Sequence, residues 1–158
     1  GMADTEIERL IYEALDYNRF EVYYQPLYSI CDGKFTEAEA LLRMRGADGK
    51  FVPPDKFIPV AEETGLIVDI GLFVLKKVCS YIKYLQSCHI YISAISVNLS
   101  VAQLMRDDAV SRLLQTIKDS GVSPKHILFE ITESVLISNY AKISDKLTEM
   151  SESGIPVS

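Results

Sequence analysis

The stretch that decides the fold is Ile90–Ser100, IYISAISVNLS, which predicts a buried strand followed directly by a helix. The strand is predicted at Ile90–Leu99, and its apolar run is nearly continuous, as in a sheet covered by helices on both faces. Ser100 and Gln103 form a capping-box pair, which marks the start of the next helix. A strand that leads at once into a helix is the unit from which parallel α/β folds are built.

The same unit recurs toward the C-terminus. The helical pattern that starts after Ser100 runs to Gly121, and a second buried strand is predicted at His126–Thr132. Another helical pattern ends at Gly154, and Pro156-Val157-Ser158 has the character of a further strand. Strands that alternate with helices in this way predict a parallel sheet.

The N-terminal side has a different organisation. We expect a leading helix over residues 4–17 and two strands, at Phe20–Ile30 and Phe35–Arg43, joined as a hairpin by Asp32-Gly33. Pro53-Pro54 is expected to open a short helix that a long one follows. A closed eight-stranded barrel needs roughly 250 residues, so these 158 residues are expected to supply about half of one, as a single domain.

Composition excludes several classes of protein. The formal net charge is −6, so nothing indicates a general binder of nucleic acid or of a membrane surface. Three cysteines without a zinc-site spacing favour reduced thiols in the cytoplasm over a disulfide framework. No apolar run is long enough to span a bilayer. We therefore expect a cytoplasmic protein without a membrane segment.

Three predicted strands each carry one oxygen-bearing polar side chain among apolar neighbours, namely Glu39, Asn98 and Glu130. A carboxylate buried without a partner is strongly destabilising, so each glutamate requires an arginine, hydrogen-bond donors or a cation. Functional groups of (β/α) barrels gather at the carboxyl ends of the strands. The three positions are therefore expected to converge at one edge of the sheet.

Each of these residues also has a structural interpretation. Glu39 fits an ion-pair partner of Arg43 as well as it fits a metal ligand. Asn98 fits a residue at the start of a helix, and Glu130 fits a solvated carboxylate at a strand end. Only the joint pattern favours a functional site.

The chemistry of the set indicates which metal it suits. All its donors are oxygens, which favours Mg²⁺ or Mn²⁺ and disfavours zinc. Arg43 follows Glu39 on the same strand and can hold a phosphate by paired hydrogen bonds. Divalent cations with oxygen ligands beside an arginine indicate phosphoryl chemistry.

Five segments occur in a set order along the chain: YQP at 24–26, EALLR at 39–43, FIPVAEETGLI at 57–67, SVNLS at 96–100 and FEITES at 129–134. Together they resemble the EAL family of cyclic di-GMP phosphodiesterases. The resemblance runs from about residue 20 to residue 158 and corresponds to the first half of such a domain.

The resemblance implies a TIM-type barrel whose first strand runs antiparallel, and hydrolysis of cyclic di-GMP to pGpG with two divalent cations. It implies that Glu39, Asn98 and Glu130 are metal ligands and that Gln25 and Arg43 contact the dinucleotide. It also implies that Glu133 steadies a loop near the metals. It also implies a bacterial signalling protein with sensor or GGDEF domains as partners.

The later motifs of the family are paired aspartates, a lysine, a further glutamate and a glutamine, and the 158 residues do not contain them in that pattern. We therefore expect the chain to be inactive by itself. Two alternatives stay open. One is a non-catalytic module that binds cyclic di-GMP or a protein partner. The other is a half-barrel that self-associates as a homodimer through uncovered strand edges.

Overall fold

The structure is a computed structural model that describes residues 3–131 and 140–158. Its first half contains α1 (Asp4–Tyr17), β1 (Phe20–Ser29), β2 (Lys34–Arg45), β3 (Phe51–Val52), α2 (Pro54–Thr64) and α3 (Ile67–Ser87). The second half contains β4 (Ala94–Asn98), α4 (Val101–Leu104), α5 (Ala109–Ser120), β5 (Ile127–Glu130) and α6 (Tyr140–Glu152). None of the described helices has both the length and the apolar character that crossing a membrane requires.

The sheet combines an antiparallel hairpin with parallel strands, as predicted. β1 and β2 pair antiparallel, and Gly33 in their turn has a φ of +66°, a conformation that favours glycine. β2, β4 and β5 then pair in parallel, so the strand order is β1-β2-β4-β5. Val157 forms a parallel bridge to Phe129, which agrees with a further strand beginning at 156–158.

One face of the sheet packs against helices, and the other carries the polar side chains. Side chains alternate between the faces with a period of two, and the buried set on β2, β4 and β5 is Ala38, Ala40, Ile95, Val97, Ile127 and Phe129. Helices α2 and α3 contribute fully buried side chains to the same core, among them Phe57, Leu75 and Ile82. Glu39 and Glu130 alternate with the buried residues, so they project from the opposite face.

The predicted strand at Ile90–Leu99 is longer than the observed one, which begins only at Ala94. His89 has a φ of +58° and turns the chain after α3. Ile90 and Tyr91 are exposed, so these two apolar residues are not part of the buried sheet. The apolar run predicted that the strand begins at Ile90, but the turn at His89 directs the chain so that the strand begins only at Ala94.

The single helix predicted between Ser100 and Gly121 is divided into α4 and α5. The predicted capping box is present at the start of α4. The polar residues Arg106, Asp107 and Asp108 interrupt the apolar spacing and form the connecting turn. Likewise β5 starts one residue later than predicted, because His126 ends a short 3₁₀ turn.

Candidate active site

Strand register places the predicted site residues on one face of the sheet. Gln25 lies directly opposite Glu39 in the hairpin. Glu39 is aligned with Ser96 on the neighbouring strand, and Asn98 is aligned with Glu130. Ser96 and Asn98 are two residues apart, so they share a face and connect the two sets. The sheet thus brings residues from four strands together on the face turned away from the helices.

Two of the three predicted metal ligands lie at the carboxyl ends of their strands, where functional groups of (β/α) barrels gather. Asn98 and Glu130 are the last residues of β4 and β5. Glu39 lies lower, because it is aligned with Ser96 and not with Asn98. Two strand residues correspond to roughly 6.6 Å, a step that the long glutamate side chain can partly cover.

A cleft of about 590 Å³ opens at this edge of the sheet. Its volume falls in the range of roughly 300–1,000 Å³ that is usual for small-molecule sites. Arg43, Asn98 and Glu130 line it, together with Glu62 of α2. Glu39 is not among the lining residues, and the cleft is bounded on its other side by residues of α2 and α3 such as Ile58 and Ile70. Glu62 lies within the 57–67 motif but is not among the residues predicted from the sequence to form the site.

The structural interpretations of Glu39 and Asn98 are not supported. Among the described residues no ion pair links Glu39 to Arg43, since four strand residues separate them by roughly 13 Å. The Arg43 guanidinium instead donates to the Leu42 carbonyl at 2.9 Å. Ser100, and not Asn98, is the N-cap of α4. Asn98 is exposed at the cleft and is therefore available to a ligand.

Glu39 and Glu130 are both half-buried. In residues 3–131 and 140–158, no side chain forms an ion pair with either carboxylate. No group of three His, Cys, Asp or Glu side chains in this part of the chain is close enough to hold an ion. The predicted set contains two carboxylates and one amide, so it depends on Asn98 for its third oxygen. These donors fit a hard divalent cation that keeps further positions for water and substrate.

Two arginines on β2 have different environments. Arg45 donates to Glu21 with a distance of 2.9 Å between Nε and Oε1, and its guanidinium stacks 4.0 Å above the centre of the Phe51 ring. The hydrogen bond from Arg45 lowers the pKa of the Glu21 carboxyl. Arg43 has no ion-pair partner among the described residues. Within residues 3–131 and 140–158, Arg43 is thus a cation at the cleft that is free to bind an anionic ligand.

Gln25 and Glu133 are the two remaining residues of the predicted site. Gln25 is exposed on β1, on the face that carries Glu39. Glu133 lies outside the described residues, so its loop-steadying role stays a prediction. Tyr24, a neighbour of Gln25 in sequence, belongs to the opposite face and stacks on Tyr81 with ring centres 4.1 Å apart. The burial produced by this packing raises the pKa of Tyr24.

Comparison with known proteins gives consistent matches. The signaling protein YkoW of Bacillus subtilis is 34% identical over 151 residues, which are 96% of this chain and 19% of that protein. The bifunctional diguanylate cyclase/cyclic di-GMP phosphodiesterase MucR of Pseudomonas aeruginosa is 31% identical over 147 residues, which are 92% of this chain and 21% of that protein. The structure of the MucR phosphodiesterase in complex with c-di-GMP superposes with a TM-score of 0.86 at 29% identity.

The matches cover nearly all of this chain but only part of each related protein. The superposition covers 96% of this chain and 62% of the solved MucR chain. The chain spans about a fifth of the length of the two curated relatives. The EAL domain family matches residues 8–158, and the fold corresponds to part of the solved EAL barrels. This chain belongs to the EAL domain family.

Proposed function

We propose that this chain contributes to the active site of a cyclic di-GMP phosphodiesterase. In this proposal Glu39, Asn98 and Glu130 are metal ligands, and Gln25 and Arg43 contact the substrate. The observation that carries the proposal is the strand register, which gathers oxygen donors from three parallel strands on one face beside the cleft. The matches to MucR, which is named as a cyclic di-GMP phosphodiesterase, support the choice of substrate.

Each side chain has a chemical task in this proposal. Bound divalent cations would supply Lewis-acid stabilisation and an activated water for hydrolysis of one phosphodiester. The carboxylates of Glu39 and Glu130 balance positive charge, and the Asn98 amide adds a neutral oxygen donor. The planar Arg43 guanidinium holds a phosphate by two parallel hydrogen bonds, which fixes the orientation of the scissile bond. Mg²⁺ and Mn²⁺ are the cations that this donor set suits.

The test is hydrolysis of cyclic di-GMP by the full product of the gene that encodes this chain. We expect pGpG to form with Mn²⁺ and the rate to fall to background with excess EDTA. Arg43→Lys is expected to raise KM about tenfold or more, because a charge-assisted hydrogen bond contributes about 1.5–3 kcal/mol and 1.4 kcal/mol corresponds to a factor of ten. Residues 1–158 alone are expected to form no pGpG.

Arg45→Lys is the matched control, since Arg45 lies on the same strand and face but is paired with Glu21. Its KM is expected to stay near that of the unaltered protein. Equal effects of the two substitutions would contradict the assignment of Arg43 to the substrate. If the protein binds cyclic di-GMP but does not hydrolyse it at any Mn²⁺ concentration, it is a non-catalytic binding module and not an enzyme.

We also propose a setting for the domain. The named relatives favour a bacterial, cytoplasmic signalling protein that works beside a GGDEF or sensor domain. Self-association as a homodimer is a proposal supported by exposed apolar side chains near the hairpin turn, where Tyr28, Ile30 and Phe35 are more than half exposed. Light scattering on residues 1–158 is expected to give about twice the monomer mass. A monomer at every accessible concentration would exclude self-association.

A further inference from the structure

A hydrogen bond links α2 to the turn that follows β4. The Ser100 hydroxyl donates to Oε2 of Glu62 at 2.7 Å. Ser100 lies two residues after Asn98, and Glu62 lies near the end of α2, far away in sequence. The proposed function gives Glu62 and its 57–67 motif no task. The bond therefore connects an unassigned motif to the neighbourhood of a proposed metal ligand.

Three further hydrogen bonds hold the same turn, one to the neighbouring strand and two within the turn and α4. The Leu99 amide donates to the Glu130 carbonyl at 2.8 Å, which ties the turn to β5. The Ser100 amide donates to Oε1 of Gln103 at 3.1 Å. The Ser100 hydroxyl also accepts from the Ala102 amide at 3.2 Å. Ser100 thus uses its hydroxyl as both donor and acceptor, and the backbone directly after Asn98 is fixed.

Helix α3 completes this arrangement by leaving space for Gln103. Gln103 is almost fully buried, at 7% exposure. A Cβ atom on Gly71 of α3 would lie 1.8 Å from its Nε2, so no side chain is tolerated there unless Gln103 moves. Glu62, Gly71, Ser100 and Gln103 all line the same cleft as Asn98. Three helices therefore meet on the turn that carries the proposed ligand.

We infer that Glu62 and Ser100 are positioning residues for Asn98. Their hydrogen bond fixes the β4–α4 turn against α2, so that the amide of Asn98 is held beside Glu130, its neighbour on β5. Outer partners that orient a metal ligand commonly affect metal affinity by about 10–100-fold. This inference rests on the proposed function, because it takes Asn98 to be a metal ligand.

The test measures Mn²⁺ binding directly, by electron paramagnetic resonance of free Mn²⁺, in the full gene product without substrate. Glu62→Ala and Ser100→Ala are each expected to weaken Mn²⁺ binding about 10–100-fold. Ser100→Thr keeps a hydroxyl and is expected to retain most of the affinity. Glu63→Ala is the matched control, because Glu63 is the exposed neighbour of Glu62 on the same helix. Its affinity is expected to be unchanged.

Melting temperatures without metal separate positioning from general stability. We expect Glu62→Ala and Glu63→Ala to melt within a few degrees of each other and to differ only in Mn²⁺ affinity. Unchanged Mn²⁺ affinity in a folded Glu62→Ala protein overturns the inference, even if Ser100→Ala does not fold. Equal losses in Ser100→Thr and Ser100→Ala overturn it as well. If the unaltered protein binds no Mn²⁺, the proposed function itself is contradicted. If the unaltered protein binds Mn²⁺ and the substitutions do not change its affinity, only the positioning role of Glu62 and Ser100 is contradicted.

Discussion

Replacing Glu39 by glutamine in the full gene product is expected to lower Mn²⁺-dependent hydrolysis of cyclic di-GMP by about a thousandfold or more. Glutamine keeps the size of the side chain but removes the negative charge that a hard cation needs from its ligand. Metal stabilisation of the transition state is worth several kcal/mol, and each 1.4 kcal/mol corresponds to about a factor of ten in rate. The measurement is the initial rate of pGpG formation at saturating Mn²⁺.

Glu37→Gln is the matched control for this substitution. Glu37 lies two residues earlier on β2 and on the same face, and it is likewise half-buried. It is aligned with Ala94 at the start of β4, away from the carboxyl ends of the strands. We expect its rate to stay within about twofold of the unaltered protein, as for a residue outside the catalytic machinery. A Glu39→Gln protein with a normal rate would show that Glu39 is not a ligand.

Phe57→Ala is expected to have the largest effect on stability, with a loss of about 3–5 kcal/mol in the free energy of unfolding. The Phe57 side chain is fully buried where α2 meets the sheet, and its ring lies 6.1 Å from the ring of Phe20. Truncation removes apolar contacts and leaves a cavity that the surrounding core can fill only in part. Urea unfolding of residues 1–158, followed by circular dichroism, measures the change.

Phe35→Ala is the control for this loss of an aromatic ring. Phe35 is 65% exposed and contacts the edge of Tyr28 near the hairpin turn. We expect its substitution to cost no more than about 1.5 kcal/mol, the range for an exposed aromatic pair. Equal costs for the two substitutions would mean that α2 does not pack on the sheet as described.

The order of elements could be predicted from local patterns, whereas strand register could not. Hairpin, long helix and parallel strands follow from turn residues and apolar spacing, and the structure confirms them. Register depends on pairing between distant segments, so the alignment of Glu39 with Ser96 was not accessible from the sequence. The first part of the Ile90–Leu99 prediction is wrong because exposed apolar residues have the same local pattern as buried ones.

The candidate site shows the same division. The pattern of single polar side chains in apolar strands indicated Asn98 and Glu130 before the family resemblance did, and the structure places them side by side at the strand ends. Glu62 was missed because its significance lies in a hydrogen bond to Ser100 across 38 positions of sequence. Its presence in a motif without an assigned role was the one signal that could have identified it. Whether Glu133 steadies a loop remains a prediction.

The most direct test of the proposed metal site is an anomalous difference map from crystals of the full gene product grown with Mn²⁺ and cyclic di-GMP. We predict a manganese peak in contact with side-chain oxygens of Glu39, Asn98 and Glu130, with a phosphate of the ligand close to the Arg43 guanidinium. A manganese peak bound by other residues, with these three side chains free of metal, would contradict it.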